Sequence, residues 1–257
     1  MDIYQIVIAI IGGFVAGCIN TLAGNGSAIT LTILTEVIGL PGTVANATNR
    51  IGVFTQSTAG TLGFYRNGKL DIERSRLYIV LTILGAVGGV LLAIWVSNEQ
   101  FKQVFRWLIV IMFFVILIKP KRWLRETDTS LKPNLWIAVP LFLAIGFYGG
   151  FIQMGMGVIF LAAMVLGARY SLIDANAIKS FIVATYTIVV IAIFQYKGLI
   201  DWKIGLILAI GQTLGGWLTA NFASKYPQAN VWAHRLLIVV VLAAIIKLFD
   251  LHLLIFG

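Results

Sequence analysis

Ala45-Asn46-Ala47-Thr48-Asn49-Arg50, preceded by the glycine break Gly24-Asn25-Gly26-Ser27, returns about 130 residues later as Ala175-Asn176-Ala177-Ile178-Lys179, preceded by Gln153 and Gly155-Met156-Gly157. Each copy sets amides and one cation inside sequence that otherwise favours hydrocarbon. An arginine near the centre of a bilayer helix costs about 2.5 to 3.5 kcal/mol on insertion scales. Side chains that carry such a cost are the first candidates for function.

The surroundings decide the solvent. The chain has 257 residues, 60% of them hydrophobic and 11% charged, with a mean hydropathy of +0.95. One water-soluble core cannot hide that much apolar surface, so the expectation is an all-α polytopic membrane protein. At roughly 20 residues per span the length allows about eight to ten membrane helices and leaves almost nothing for a soluble domain. Most Lys and Arg flank apolar segments, as the positive-inside rule expects, so the net charge of +9 argues for loop topology and against nucleic acid. A single cysteine, Cys18, excludes an internal disulfide and a thiolate metal site, and His234 and His252 are too few for a His-based one. No metal or other cofactor is expected. The start of the chain lacks the basic region of a cleaved signal peptide, so the first helix is expected to remain.

In order, apolar segments run over about 3–22, 27–38, 44–64, 73–96 and 101–118. The second is only some twelve residues long and reads as a half-membrane or returning segment, stopped by Gly39-Leu40-Pro41-Gly42. The third carries Asn46, Asn49, Arg50, Thr55, Gln56, Ser57 and Thr58, an unusually polar load. The stretch 119–133 is the longest polar one and reads as a cytoplasmic linker between an N-terminal repeat, 1–118, and a C-terminal repeat, 134–257. Gly13 and Gly17 reappear as Gly146 and Gly150. At a constant offset Asn46 matches Asn176, Thr55 Thr185, Phe64 Phe194, Gly68 Gly198, Asp71 Asp201 and Gly85 Gly215.

Five segments per repeat would place the second repeat upside down. With the 65–76 loop and the linker inside, Arg66, Lys69, Arg74, Arg76 and most other cations fall on the cytoplasmic side and both termini outside. Two inverted five-segment repeats with broken helices near the midplane are a common transporter plan, with substrate bound where the repeats meet. Arg50 and Lys179 would each lie roughly 10 Å deep, from opposite faces.

These residues suit an anion. Gly24-Asn25-Gly26-Ser27 and Gly155-Met156-Gly157 offer helix-start NH groups, and Gln153, Arg50, Lys179, Asn46, Asn49, Asn176 and Gln56 add donors. The bland readings are packing for any single glycine and snorkelling to headgroups for the two cations. Glu36, the one acid well inside an apolar segment, is a candidate proton carrier, with local capping as the alternative. Asp71 and Asp201 read as helix N-caps, and Gly85, Gly89, Gly211 and Gly215 as packing residues.

The run Gly17-Cys18-Ile19-Asn20-Thr21-Leu22-Ala23-Gly24-Asn25-Gly26-Ser27, then Gly39-Leu40-Pro41 and the polar helix from Ala45 to Gly60, resembles the TauE/SafE sulfite exporter family. The second-half copy extends the resemblance over nearly the whole chain. It implies a bacterial inner-membrane secondary transporter, a monomer or homodimer. The implied substrate is sulfite, thiosulfate or an organosulfonate, with transport coupled to an ion gradient and alternating access around the midplane. An anion channel, or a carrier of another small organic anion, is the alternative. An enzyme is disfavoured, because the chain offers neither a nucleophile with its base nor a metal cluster.

Overall fold

The computed structural model describes residues 1–101 and 134–226, with scattered positions over 103–110 and 228–246. The expected fifth segment of the first half lies largely outside the described residues, as do the 119–133 linker and most of the chain's last apolar stretch. Among the described residues eight helices stand in two matching sets. The first set is α1 (Ile3–Ala23), α2 (Gly26–Thr32), α3 (Gly42–Arg66) and α4 (Ile72–Ala93). The second is α5 (Leu135–Phe151), α6 (Met156–Ala162), α7 (Leu172–Tyr196) and α8 (Trp202–Ala223). Each short helix, α2 and α6, widens into a five-residue π-helical turn, Ile33–Val37 and Ala163–Gly167. By length and composition α1, α4, α7 and α8 can cross a membrane.

Local chemistry sets the ends. Asp2 and Gln5 form a reciprocal capping box at the start of α1. Asp71 accepts the Arg74 NH and Asp201 the Ile204 NH, both at 3.0 Å, so the two matched aspartates are the N-caps expected of them. Gly24 ends α1 in the left-handed region at φ 77°, which costs a glycine little. After that turn α2 runs back along α1, and the Gln5 side chain donates to the Val37 carbonyl at 3.1 Å. The α1–α2 arm therefore returns to the level of the first turn of α1.

Long-range packing crosses between the halves. A Cβ on Gly13 or Gly17 would strike the backbone of Leu208 or Gln212, and one on Gly211 or Gly215 that of Ile10 or Phe14, so α1 and α8 lie parallel with their backbones in contact. Gly85 and Gly89 meet Leu143 and Phe147, and Gly146 and Gly150 meet Thr82 and Ala86, so α4 and α5 do the same. One buried cluster joins α1 and α2 to Ile204 and Leu208 of α8. Another joins α5, α6 and α7 to Tyr78, Ala86 and Val90 of α4. Each returning hairpin is thus completed by a helix of the other half, and the packing units differ from the sequence repeats.

The two polar helices form the seam. α3 and α7 run in opposite directions: Arg50 sits over the Phe194 ring at 5.9 Å, Gly60 faces Ser180, and Phe64 shares a cluster with Ala177. α8 lies parallel to α3, through Asp201 NH to Thr48 Oγ1 at 3.0 Å and Thr213 Oγ1 to Thr55 Oγ1 at 2.7 Å.

The tight α4–α5 contact separates two neighbouring glycines. A Cβ on Gly89 would overlap the Phe147 carbonyl, whereas one on Gly88 meets only the Phe147 ring at an ordinary 3.4 Å. Gly89→Ala should lower stability in detergent by about 1 to 3 kcal/mol, and Gly88→Ala should leave it nearly unchanged. Thermal unfolding of the two variants checks this, and equal midpoints would count against the α4–α5 geometry.

Candidate functional site

A helix that stops inside a bilayer leaves its last carbonyls without partners, and there is no water in hydrocarbon to satisfy them. α1 and α5 both end buried inside the protein, where the same need arises, and the asparagine–cation pairs answer both ends. Arg50 is completely buried. Its guanidinium donates to Gly149 O at 2.8 Å, Gly150 O at 2.9 Å, Gln153 Oε1 at 2.5 Å and Asn46 Oδ1 at 3.3 Å. Asn46 Nδ2 takes the next carbonyl, Phe151 O, at 2.9 Å. In the other half Lys179 Nζ donates to Asn20 O at 2.7 Å, Thr21 O at 3.1 Å and Asn176 Oδ1 at 2.6 Å. Asn176 Nδ2 takes Leu22 O at 3.1 Å. Each polar helix thereby caps the broken hairpin of the opposite half. Positive charge at a helix C-terminus is also favoured by the helix dipole.

The two breaks meet face to face. A Cβ on Gly24 would overlap Gly157 and the reverse, so both glycines are required for a backbone-to-backbone approach. Around that contact lies a small cavity lined by Asn20, Gln56, Ser57, Gln153, Lys179 and Ser180, with Gly24, Met156, Gly157 and Val183 completing the wall. Its space is on the scale of one water molecule. Asn20 Nδ2 donates to Gln56 Oε1 at 3.0 Å, and Gln56 Nε2 to Thr21 Oγ1 at 3.2 Å. Gln153 holds a left-handed φ of 65° without being glycine, a strained conformation of the kind that surrounding contacts must impose.

The residues expected from sequence therefore separate into groups. Gly24, Gln56, Gln153, Gly157 and Lys179 line the cavity. Arg50, Asn46 and Asn176 lie just behind it on the helix ends. Asn49 faces α8, where its Oδ1 accepts from Gln212 Nε2 at 3.2 Å. Gly26 packs against Ala16 and Asn20, and Gly155 is the left-handed N-cap of α6. Asn25 and Ser27 are buried, and among the described residues the Asn25 amide and the Ser27 hydroxyl meet no hydrogen-bond partner. Glu36 is exposed on the π-helical turn after α2. Asn20, Ser57 and Ser180 also border the cavity, beyond the residues expected to bind. The available signal was adjacency, since Ser57 follows Gln56, Ser180 follows Lys179, and Asn20 lies in the glycine-broken run.

The family model described as Sulfite exporter TauE/SafE matches residues 9–248. The chain belongs to the TauE/SafE family. Similar proteins in the family include a probable membrane transporter protein, ORF9, of Sinorhizobium sp., 28% identical over 222 residues that cover 86% of this chain and 82% of the relative. The probable membrane transporter protein YfcA of Escherichia coli K12 is 26% identical over 238 residues, 92% of this chain and 87% of its own. A probable membrane transporter protein of Haemophilus influenzae is 30% identical over 214 residues, 83% and 81% of the two chains. The protein is a membrane transporter of the TauE/SafE family.

Within this TauE/SafE chain the Arg50 clamp makes a distinct demand on stability. Arg50→Met keeps an unbranched apolar stem but removes the guanidinium, which strands the Gly149 and Gly150 carbonyls and the Gln153 side chain in a buried site. Unsatisfied buried groups cost about 1 to 3 kcal/mol each. Arg50→Met should therefore unfold at a markedly lower temperature in detergent, and an unchanged midpoint would contradict the capping role.

Proposed function

We propose that the protein is a secondary transporter of a small sulfur-containing anion, sulfite, thiosulfate or an organosulfonate, across the bacterial inner membrane. The observation that carries this reading is the polar cavity at the meeting point of two broken helices, bordered by Lys179 and backed by Arg50. One cation borders the cavity and the other lies behind it, and among the described residues no Asp or Glu is buried. A donor-rich, positive site of this kind favours an oxyanion, and the family description agrees with sulfur chemistry.

The working motion is alternating access between two inverted repeats, coupled to an ion gradient. Two observations support it. The matched helices α3 and α7 run in opposite directions, and the cavity is too small for a three-oxygen anion unless the contact between Gly24 and Gly157 parts. In this reading the α3–α4 loop is cytoplasmic, the α7–α8 loop faces outward, and both termini lie outside.

Counterflow of labelled sulfite in proteoliposomes tests the carrier. Unlabelled sulfite, thiosulfate or sulfoacetate inside should drive accumulation of label, with acetate ineffective; uptake without trans-stimulation would instead identify a channel. Topology is tested separately in a Cys18→Ser background. Glu73→Cys and Lys203→Cys, matched positions on exposed helix starts, should label from opposite faces of the membrane. Labelling of both from the same face would overturn the inversion.

A further inference from the structure

The two cations at the broken helices do unequal work, and the difference lies in how their donors are committed. Arg50 has no exposed surface, does not border the cavity, and spreads two terminal nitrogens over four acceptors in a planar fork. Lys179 does border the cavity. An ammonium has three donors, and all three of its bonds are already made: two to carbonyls of α1, one to Asn176. An anion entering the cavity can hydrogen-bond Lys179 only by displacing one of these acceptors. Asn176 is itself anchored to Leu22 O and lies on the same helix as Lys179, one turn away. The α1 carbonyls belong to the other half of the molecule.

We propose that Lys179 is the cation that binds the transported oxyanion, and that it does so by letting go of the Asn20 and Thr21 carbonyls, so that substrate binding and release of the α1 end are one event. Arg50 is the fixed counterpart that keeps α5 capped. The remaining oxygens of the anion are met by Ser57 of one half and Ser180 of the other, which border the same cavity. The anion thus takes over the role of the carbonyls as the partner of Lys179. Asn20 stands on both sides of the exchange, because its carbonyl holds Lys179 while its side chain borders the cavity and bonds Gln56. This inference rests on the anion-transport reading above.

The test uses purified full-length protein in detergent, with sodium sulfite, thiosulfate and sulfoacetate as probes. In the wild type, hydrogen–deuterium exchange should rise with probe in the peptide covering the last turn of α1, residues 19–24, and stay unchanged in the peptide covering the last turn of α5, residues 147–152. Calorimetric titration of Lys179→Gln should show affinity reduced on the order of tenfold or more, the loss expected when a charged hydrogen bond is removed. Lys179→Arg should retain part of the binding. Binding by the wild type with equal exchange at both helix ends would overturn the release step, and Lys179→Gln binding as tightly as the wild type would overturn the assignment of the cation. Either result would leave the transport reading standing. A wild type that binds none of the three probes would overturn both. The exchange comparison needs no variant, so it decides the release step even where Lys179→Gln fails to fold.

Discussion

A carbonyl that ends a helix in the interior of a protein has to find a donor there once water is shut out. That constraint shapes this molecule. Breaking α1 at Gly24 and α5 after Phe151 creates two sets of such carbonyls, and in each case the donors come from the polar helix of the other half. The cost of placing Arg50 and Lys179 in the interior is offset because the charges are spent on groups that would otherwise be stranded. Removing water penalises the cation alone, and it also strengthens the attraction between that cation and a helix C-terminus. The glycines follow from the same arrangement, since Gly24 and Gly157 must touch for both hairpins to be reached at once.

Much of the architecture was legible in the sequence because it is written in periodic and local signals. The duplicated element order, the aspartate caps at Asp71 and Asp201 and the packing role of Gly85, Gly89, Gly211 and Gly215 were all read from spacing and residue type. That Arg50 and Lys179 lie inside the protein was readable too. Their partners were not, because the partners are backbone carbonyls 99 to 159 residues away, and a carbonyl has no letter in the sequence. A cation with no acid nearby reads as a seat for an external anion, and the helix-end carbonyls that hold it in this structure leave no mark in the sequence. The strained turn at Gln153 was hidden for a similar reason, since left-handed backbone is announced by glycine and here a glutamine carries it. Glu36 stands in an apolar run, and its exposure came from the π-helical turn, which residue type alone does not announce.

Pseudo-symmetry in the chain is therefore close in backbone and looser in chemistry. The asparagines Asn46 and Asn176 occupy matched positions and each takes one terminal carbonyl. The cations do not match: Arg50 is four residues beyond its asparagine and Lys179 three beyond its own, and the position that matches Arg50 holds Ser180. A guanidinium fork and an ammonium point charge are not interchangeable, since the first fixes a plane and the second can exchange partners one at a time. Two nearly equivalent hairpins are thus held by one rigid and one exchangeable fastening.

The interlocking of the halves also has a bearing on how the chain is made. Cys18 in α1 donates to the Gly215 carbonyl in α8, a contact spanning 197 residues of sequence. A ribosome delivers α1 to the bilayer long before α8 exists. Throughout that interval the glycine face of α1 lacks the helix that packs on it, and the carbonyls at its end wait for Lys179. The final seating of α1 is timed by the arrival of α8 rather than by its own synthesis.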